Sequence, residues 1–294
     1  GKASRKLSQF VREALNVSAA PAPAQPSNLG RITRARPSPM PGRAGTLRLP
    51  EPLKLDAHGL DDYLTCPLKF CYSHVLRIPI MRHHLVIYGS ALHRAVEAFF
   101  TRVLADQPMN EQELLDTFEQ AWSSEGFLSR AHEEERLSRG REVLKRFFAQ
   151  QRQAPERPTL IEEKFTFRLD NFIVTGRWDR VDGRDRDVVI IDYKSSDVDD
   201  QAKADQRTRD SSQLAVYTLA WRTLHGHMPS RVELRFLETG LIGKAVFSDS
   251  DLEATKDRLR DTAERVRALD FHPEPREFSC RWCAYQSICP FSVA

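Results

Sequence analysis

Asp192 and Lys194 stand two apart in Ile191-Asp192-Tyr193-Lys194, at the end of the apolar run Val188 to Ile191. In a strand, the period of two puts Asp192 and Lys194 on one face and Tyr193 on the other. A carboxylate and an amine at such a place are costly to bury unless they pair or bind a cation. A second acid, Asp179, lies upstream in Gly176-Arg177-Trp178-Asp179-Arg180, and hairpin pairing of the two segments would set it across from Asp192. Two carboxylates sharing a site repel each other, which favours a divalent cation between them. Oxygen ligands suit Mg²⁺ or Mn²⁺, which can activate a water and offset charge on a phosphate. The lysine amine would hold that water or steady transition-state charge. Taken alone, an Asp-x-Lys at a strand end also reads as a solvated ion pair.

A second constellation closes the chain. Cys280, Cys283 and Cys289 follow a C-x2-C-x5-C spacing, with Pro290 after the last, and Cys66 precedes Pro67 far upstream. Thiolates so spaced can wrap one metal centre, with Cys66 as the fourth ligand. Four thiolates suit a [4Fe-4S] cluster or a tetrahedral Zn²⁺ equally by ligand type. Cys71, the fifth cysteine, is read as a small buried hydrophobe.

The elements that must position these groups are legible from hydrophobic period. Residues 55 to 104 read as helical, with Leu92, Val96, Phe99 and Val103 forming one apolar stripe. Further helices are predicted at about 111 to 123 and 133 to 150. From Thr159 to Tyr193 the period changes to that of three strands, turning at Asp170-Asn171 and between Gly183 and Asp187. Gln213 to Leu224 reads as helix, and Arg231 to Leu237 and Lys244 to Phe247 as strands. Ser250 with Glu253 suggests a capping box for a helix running to about Leu269. The fold class is α/β, with a helical N-terminal part, a central mixed sheet flanked by helices and a C-terminal cysteine cluster.

Four segments together resemble the PD-(D/E)XK nucleases of the RecB and AddAB type. They are the helical Gly89-x-x-x-His93, the strand Gly176-Arg177-x-Asp179-Arg180, the strand Ile191-Asp192-Tyr193-Lys194, and the helical Gln213-x-x-x-Tyr217. The resemblance implies a restriction-endonuclease-like core in which His93, Asp179 and Asp192 ligate the metal together with the backbone carbonyl of Tyr193. It makes Asp179, Asp192 and Lys194 the catalytic set and turns Gln213 and Tyr217 toward the DNA backbone. It also implies a glutamate on the first strand, a place for which Glu162 and Glu163 compete. Ser195-Ser196 stands where relatives commonly carry Thr-Gly. The cysteine pattern resembles the iron-sulfur staple of AddB and of CRISPR-associated nucleases, which favours iron over zinc at Cys66, Cys280, Cys283 and Cys289. The implied activity is Mg²⁺- or Mn²⁺-dependent hydrolysis of DNA, expected to be exonucleolytic and to act on single strands in end processing, recombination or repair. The implied partner is a helicase motor in the same polypeptide or complex. The alternative is a catalytically silent DNA-binding module that keeps the fold and the cluster.

Composition sets outer bounds. Over 294 residues, 40% hydrophobic and 29% charged residues are globular values that exclude a disordered or collagen-like chain. The formal charge of +3 does not by itself mark a nucleic-acid binder. Its distribution is uneven: residues 1 to 50 carry nine basic residues and one acidic, leaving a net negative charge on the rest. Residues 1–18 are predicted to hold a short amphipathic helix, possible remnant of a preceding domain, on the spacing of Leu7, Phe10, Val11 and Leu15. Residues 19–54 read as a basic proline-rich linker, and 55–294 as the nuclease domain. A helix and linker of this kind would fit the tail of a UvrD-like helicase, so the chain is expected to be an excised C-terminal domain. The absence of a G-x-x-x-x-G-K-[ST] motif argues against ATPase activity in this chain. No apolar run approaches the ~20 residues of a membrane span, and the amino terminus lacks a secretory apolar stretch. A soluble cytoplasmic protein without a membrane partner is the expectation, and in that compartment five cysteines point to metal ligation rather than disulfides.

Overall fold

Val188, Val189, Ile190 and Ile191 are all closed to solvent, so the strand that contains them needs an apolar layer on each face. A computed structural model of the chain describes residues 47–294 and supplies both layers. Residues 49–294 form one compact unit. The helix expected within residues 1–18, and the linker up to residue 46, lie outside the described residues.

The sheet contains β1 (Lys54–Leu55), β2 (Leu160–Leu169), β3 (Phe172–Arg184), β4 (Asp187–Lys194), β5 (Arg231–Phe236) and β6 (Ile242–Ala245). The strand order is β1-β3-β4-β5-β6, with β2 also paired to β3. The β2-β3, β3-β4 and β5-β6 pairs are antiparallel, whereas β1-β3 and β4-β5 are parallel. Two tight turns, with Asp170 and Asp185 at positive φ, join β2, β3 and β4. Although β1 begins at the last residue read as linker, both Leu53 and Leu55 are buried in the core.

Nine α-helices surround this sheet among the described residues: α1 (Ala57–Thr65), α2 (Pro67–Phe70), α3 (His84–Leu104), α4 (Glu111–Gln120), α5 (Arg130–Gln153), α6 (Gln201–Arg209), α7 (Ser212–His225), α8 (Asp249–Arg267) and α9 (Glu277–Arg281). Val189, Ile191 and Tyr193 of β4 pack with Leu92 and Phe100 of α3, Leu114 of α4 and Leu144 of α5. Val188 and Ile190, from the alternate positions, pack with Leu60 of α1, Leu214 of α7 and Leu259 of α8. Each such side chain contributes roughly 1.5–3 kcal/mol on full burial, so β4 is fixed from both sides.

Three local readings change. The predicted helical stretch 55–104 is interrupted: Cys66 is extended before Pro67, a π-helical turn spans Cys71–Val75, and α3 begins only at His84. Proline disfavours the helical region for the residue before it, which accounts for the first break. The capping box of α8 is formed by Ser248 and Asp251, two residues before the predicted pair. Helix α6 was not expected, because Gln-Ala-Lys-Ala-Asp-Gln-Arg-Thr-Arg has no apolar stripe; it buries only Ala204 and Thr208.

Candidate active site

Pairing of Arg180 with Ile191 and of Val181 with Ile190 sets the register in which Asp179 comes level with Asp192. The backbone N–H of Tyr193 donates to Asp179 Oδ2 at 3.1 Å, closing that end of the hairpin. On the other side of β3, the pairs Ile161–Arg180 and Glu163–Trp178 flank Glu162, whose φ is +52°. This left-handed residue breaks the alternation of β2: Phe165 packs in the cluster containing Val188, while Ile161 packs in the one containing Val189. Glu162 thereby lines the cleft, whereas Glu163 is exposed outside it. Of the two glutamates, backbone conformation thus turns Glu162 to the cleft.

The cleft has a volume of about 810 Å³ and is lined by Gly89, His93, Glu97, Glu162, Arg177, Asp179, Asp192, Lys194, Gln213 and Tyr217 among others. Helix α3 brings its Gly89-His93-Glu97 face to the opening. A Cβ at Gly89 would stand 2.8 Å from Ser195 Oγ, so glycine permits this close approach of helix and strand end. Gly176 does the same for the Phe165 ring, which would lie 2.2 Å from an added Cβ. His93 Nδ1 is 3.5 Å from Asp179 Oδ2.

Asp192 and Asp179 form the floor, with side chains 1% and 11% exposed, while Lys194 and His93 at 33% and 34% reach the opening. Lys194 Nζ lies 2.7 Å from Asp192 Oδ2 and donates to Gln213 Oε1 at 2.7 Å. The Gln213 amide donates to Asp192 Oδ1 at 2.8 Å and to the Tyr217 hydroxyl at 2.7 Å. Gln213 and Tyr217 are both buried. Gln213 bridges the acid and the amine, Tyr217 supports it, and both line the cleft. Asp192 Oδ2 and Glu162 Oε2 are buried without a well-directed hydrogen bond, although Lys194 and Arg177 (2.5 Å from Glu162) stand beside them.

Crowding of acids in a dry site shows in their protonation. Burial, then the charge of Asp192, pushes the Asp179 carboxyl up to about 7. Burial, then the charge of Asp179, pushes Glu162 to about 7 as well. Burial lowers the His93 pKa, keeping the imidazole neutral and able to donate a lone pair. Buried acids that repel each other, with a neutral histidine beside them, are donors suited to a hard divalent cation. Among the described residues, no three His, Cys, Asp or Glu side chains are drawn close enough to enclose a metal as they stand.

The sequence profile of the PD-(D/E)XK nuclease superfamily matches residues 55–290. The chain belongs to the PD-(D/E)XK nuclease superfamily. Gene 69 protein of Mycobacterium phage D29 is 22% identical over 263 residues, covering 79% of this chain and 94% of its own. Among solved structures, a protein of Eubacterium rectale provisionally called an exonuclease covers 82% of this chain and 91% of its own, at 12% identity and a TM-score of 0.48. The mixed sheet flanked by helices is the nuclease-like core of the superfamily.

The superfamily match runs through the cysteines. Cys66, Cys280, Cys283 and Cys289 line one small cavity, together with Tyr72 and Tyr285. Tyr285 is buried and packs on Tyr72, with ring centroids 5.3 Å apart, and donates to the Ile78 carbonyl at 3.4 Å. Phe271 stacks on Phe70, and Tyr63 donates to the Asp270 carbonyl at 2.7 Å. These contacts lay the C-terminal segment over α1 and α2. Cys71 is buried and does not line the cavity, and all five thiols are free. Burial pushes the Cys283 thiol pKa up, so a thiolate there calls for a compensating cation. The donor set suits iron-sulfur or zinc by chemistry. No described helix is long and apolar enough to cross a membrane.

Proposed function

We propose that this chain is a Mg²⁺- or Mn²⁺-dependent deoxyribonuclease of the RecB and AddAB type that hydrolyses phosphodiester bonds from DNA ends as an exonuclease. The observation that carries the reading is the bridge of Gln213 between a buried Asp192 and a half-exposed Lys194, level with Asp179 in one cleft. A silent module would have no need to hold an amine and two acids in this relation. His93, Asp179, Asp192 and the Tyr193 carbonyl would hold the cation, with Glu162 adjacent. When bound, the cation supplies a water of lowered pKa and offsets charge on the scissile phosphate. Lys194 stands beside Asp192, and its amine, at the cleft opening, can reach a phosphate oxygen or an attacking water as charge develops. Gln213 fixes the amine's position.

Cys66, Cys280, Cys283 and Cys289 are proposed to hold a structural [4Fe-4S] cluster, with Zn²⁺ as the alternative occupant. A helicase motor in the same polypeptide or complex would present the strand, single-stranded DNA being the expected form. The test is incubation of end-labelled single-stranded and duplex DNA with Mg²⁺, Mn²⁺ or EDTA. Metal-dependent shortening of the label supports the reading; cleavage that persists in EDTA, or none with either metal, removes it.

A further inference from the structure

On the reverse side of the catalytic strands lies a charged network that the cleft chemistry does not use. Arg180, next in sequence to Asp179, is fully closed to solvent. Its guanidinium donates twice to Asp182, at 2.6 Å each, and to Glu156 at 2.9 Å and the Tyr193 hydroxyl at 3.2 Å. It lies over the Phe100 ring, 4.1 Å from the centroid. Tyr193 stands between Asp192 and Lys194, and Arg235, its neighbour on β5, donates to the same Glu156 at 2.6 Å.

The three elements that carry Asp179, Asp192 and His93 each have an arm in this network. Arg180 belongs to β3, Tyr193 to β4, and Phe100 to α3, two turns beyond His93. A buried guanidinium is a poor way to gain stability, since replacing buried ion networks by apolar residues of similar volume is often neutral or stabilising. Apolar packing, however, is non-directional. A fork that reaches Asp182, Glu156 and Tyr193 at once fixes the offset of β3 against β4, which apolar contact does not.

We propose that Arg180 and Tyr193 are positioning residues of the active site, acting from behind the sheet to hold Asp179, Asp192 and His93 in mutual register. This rests on the nuclease reading for its activity readout alone; the metal readout is independent of it. The variants are Arg180→Met, which keeps volume, and Tyr193→Phe, which removes only the hydroxyl and leaves the backbone carbonyl in place. Thermal melting, kcat and KM on single-stranded DNA, and Mn²⁺ affinity by electron paramagnetic resonance are measured on each. Tyr193→Phe is expected to melt within about 4 °C of the wild type, whereas Arg180→Met, which leaves Asp182 and Glu156 without their partner, should melt lower. Both should lose about 10- to 100-fold in Mn²⁺ affinity or kcat, the usual cost of removing a group that orients ligands, with KM for DNA unchanged. Where Arg180→Met does not fold, Tyr193→Phe decides on the same readouts. Wild-type kcat and Mn²⁺ affinity in a folded variant would overturn the proposal, leaving the network a structural one. Failure of the wild type itself to cleave DNA would instead strike the nuclease reading, and Mn²⁺ affinity would still decide the positioning role.

Discussion

Asp179 and Glu162 are the cleft carboxyls whose protonation is disturbed, both pushed up to about 7 chiefly by burial. A carboxyl raised in the fold stays protonated after its unfolded counterpart has ionised. The metal-free protein therefore loses stability as pH climbs from about 4 to about 7, and the loss persists above that. A divalent cation must displace those protons, so its stabilising effect grows across the same window. Melting temperatures in EDTA and in Mn²⁺ should nearly coincide at about pH 5 and separate clearly at about pH 8. An equal shift at both pH values would mean that these acids do not meet the metal. Asp179, Asp192 and Lys194 were legible as a set because strand alternation and hairpin register follow directly from residue type. Glu162 was not, since the choice against Glu163 turns on one left-handed residue inside a strand, where alternation fails. For Gln213 the helix face gave the neighbourhood but not the bonds to Asp192 and Lys194, since a helix face says which residues are together and not how the buried ones bond.

Among the elements, β4 and α3 announced themselves through uninterrupted or evenly spaced apolar residues, and the structure keeps both. Helix α6 carried no such signal, because it rests on the sheet edge through Ala204 and Thr208 with its remaining face in solvent. The break at Cys66 was readable from Pro67, whereas the π-helical turn across Cys71–Val75, beside which the distant C-terminal segment docks, carried no signal of its own. That docking gives the cysteines unequal weight. Cys289→Ala should lose bound metal and melt well below the wild type, since tying Cys66 to a segment over 200 residues away is worth roughly 5 kcal/mol in loop entropy. Cys71→Ala should retain the metal and weaken the core only slightly. Metal content by elemental analysis with acid-labile sulfide, read beside the melting curve, checks both; equal metal loss from the two variants would contradict the assignment of ligands.

At the scale of the whole molecule, charge is divided along the chain rather than balanced. Residues 1–46 hold eight basic residues and one acidic, while the floor of the cleft holds Asp179 and Asp192. Deleting residues 1–46 should flatten the dependence of DNA affinity on salt, by roughly 0.7 in log-log slope for each single-strand phosphate that the segment no longer neutralises. The deletion should spare metal-dependent cleavage at low salt with saturating DNA, and loss of cleavage there would place part of the site in that segment. Fold class could be read from periodicity because a mixed sheet with helices on both faces follows from where apolar residues recur. The charged network behind the sheet could not, since it joins Glu156, Arg180, Tyr193 and Arg235 across four separate segments. The claim on which the rest depends is that the buried acid beside Lys194 serves metal-dependent hydrolysis. The most direct measurement is the initial rate of cleavage of end-labelled single-stranded DNA by the wild type and by Asp192→Ala over a Mg²⁺ titration, with folding checked by circular dichroism. The account predicts a rate that rises and saturates with Mg²⁺ in the wild type and is absent at every concentration in a folded Asp192→Ala; a variant that cleaves like the wild type would contradict it.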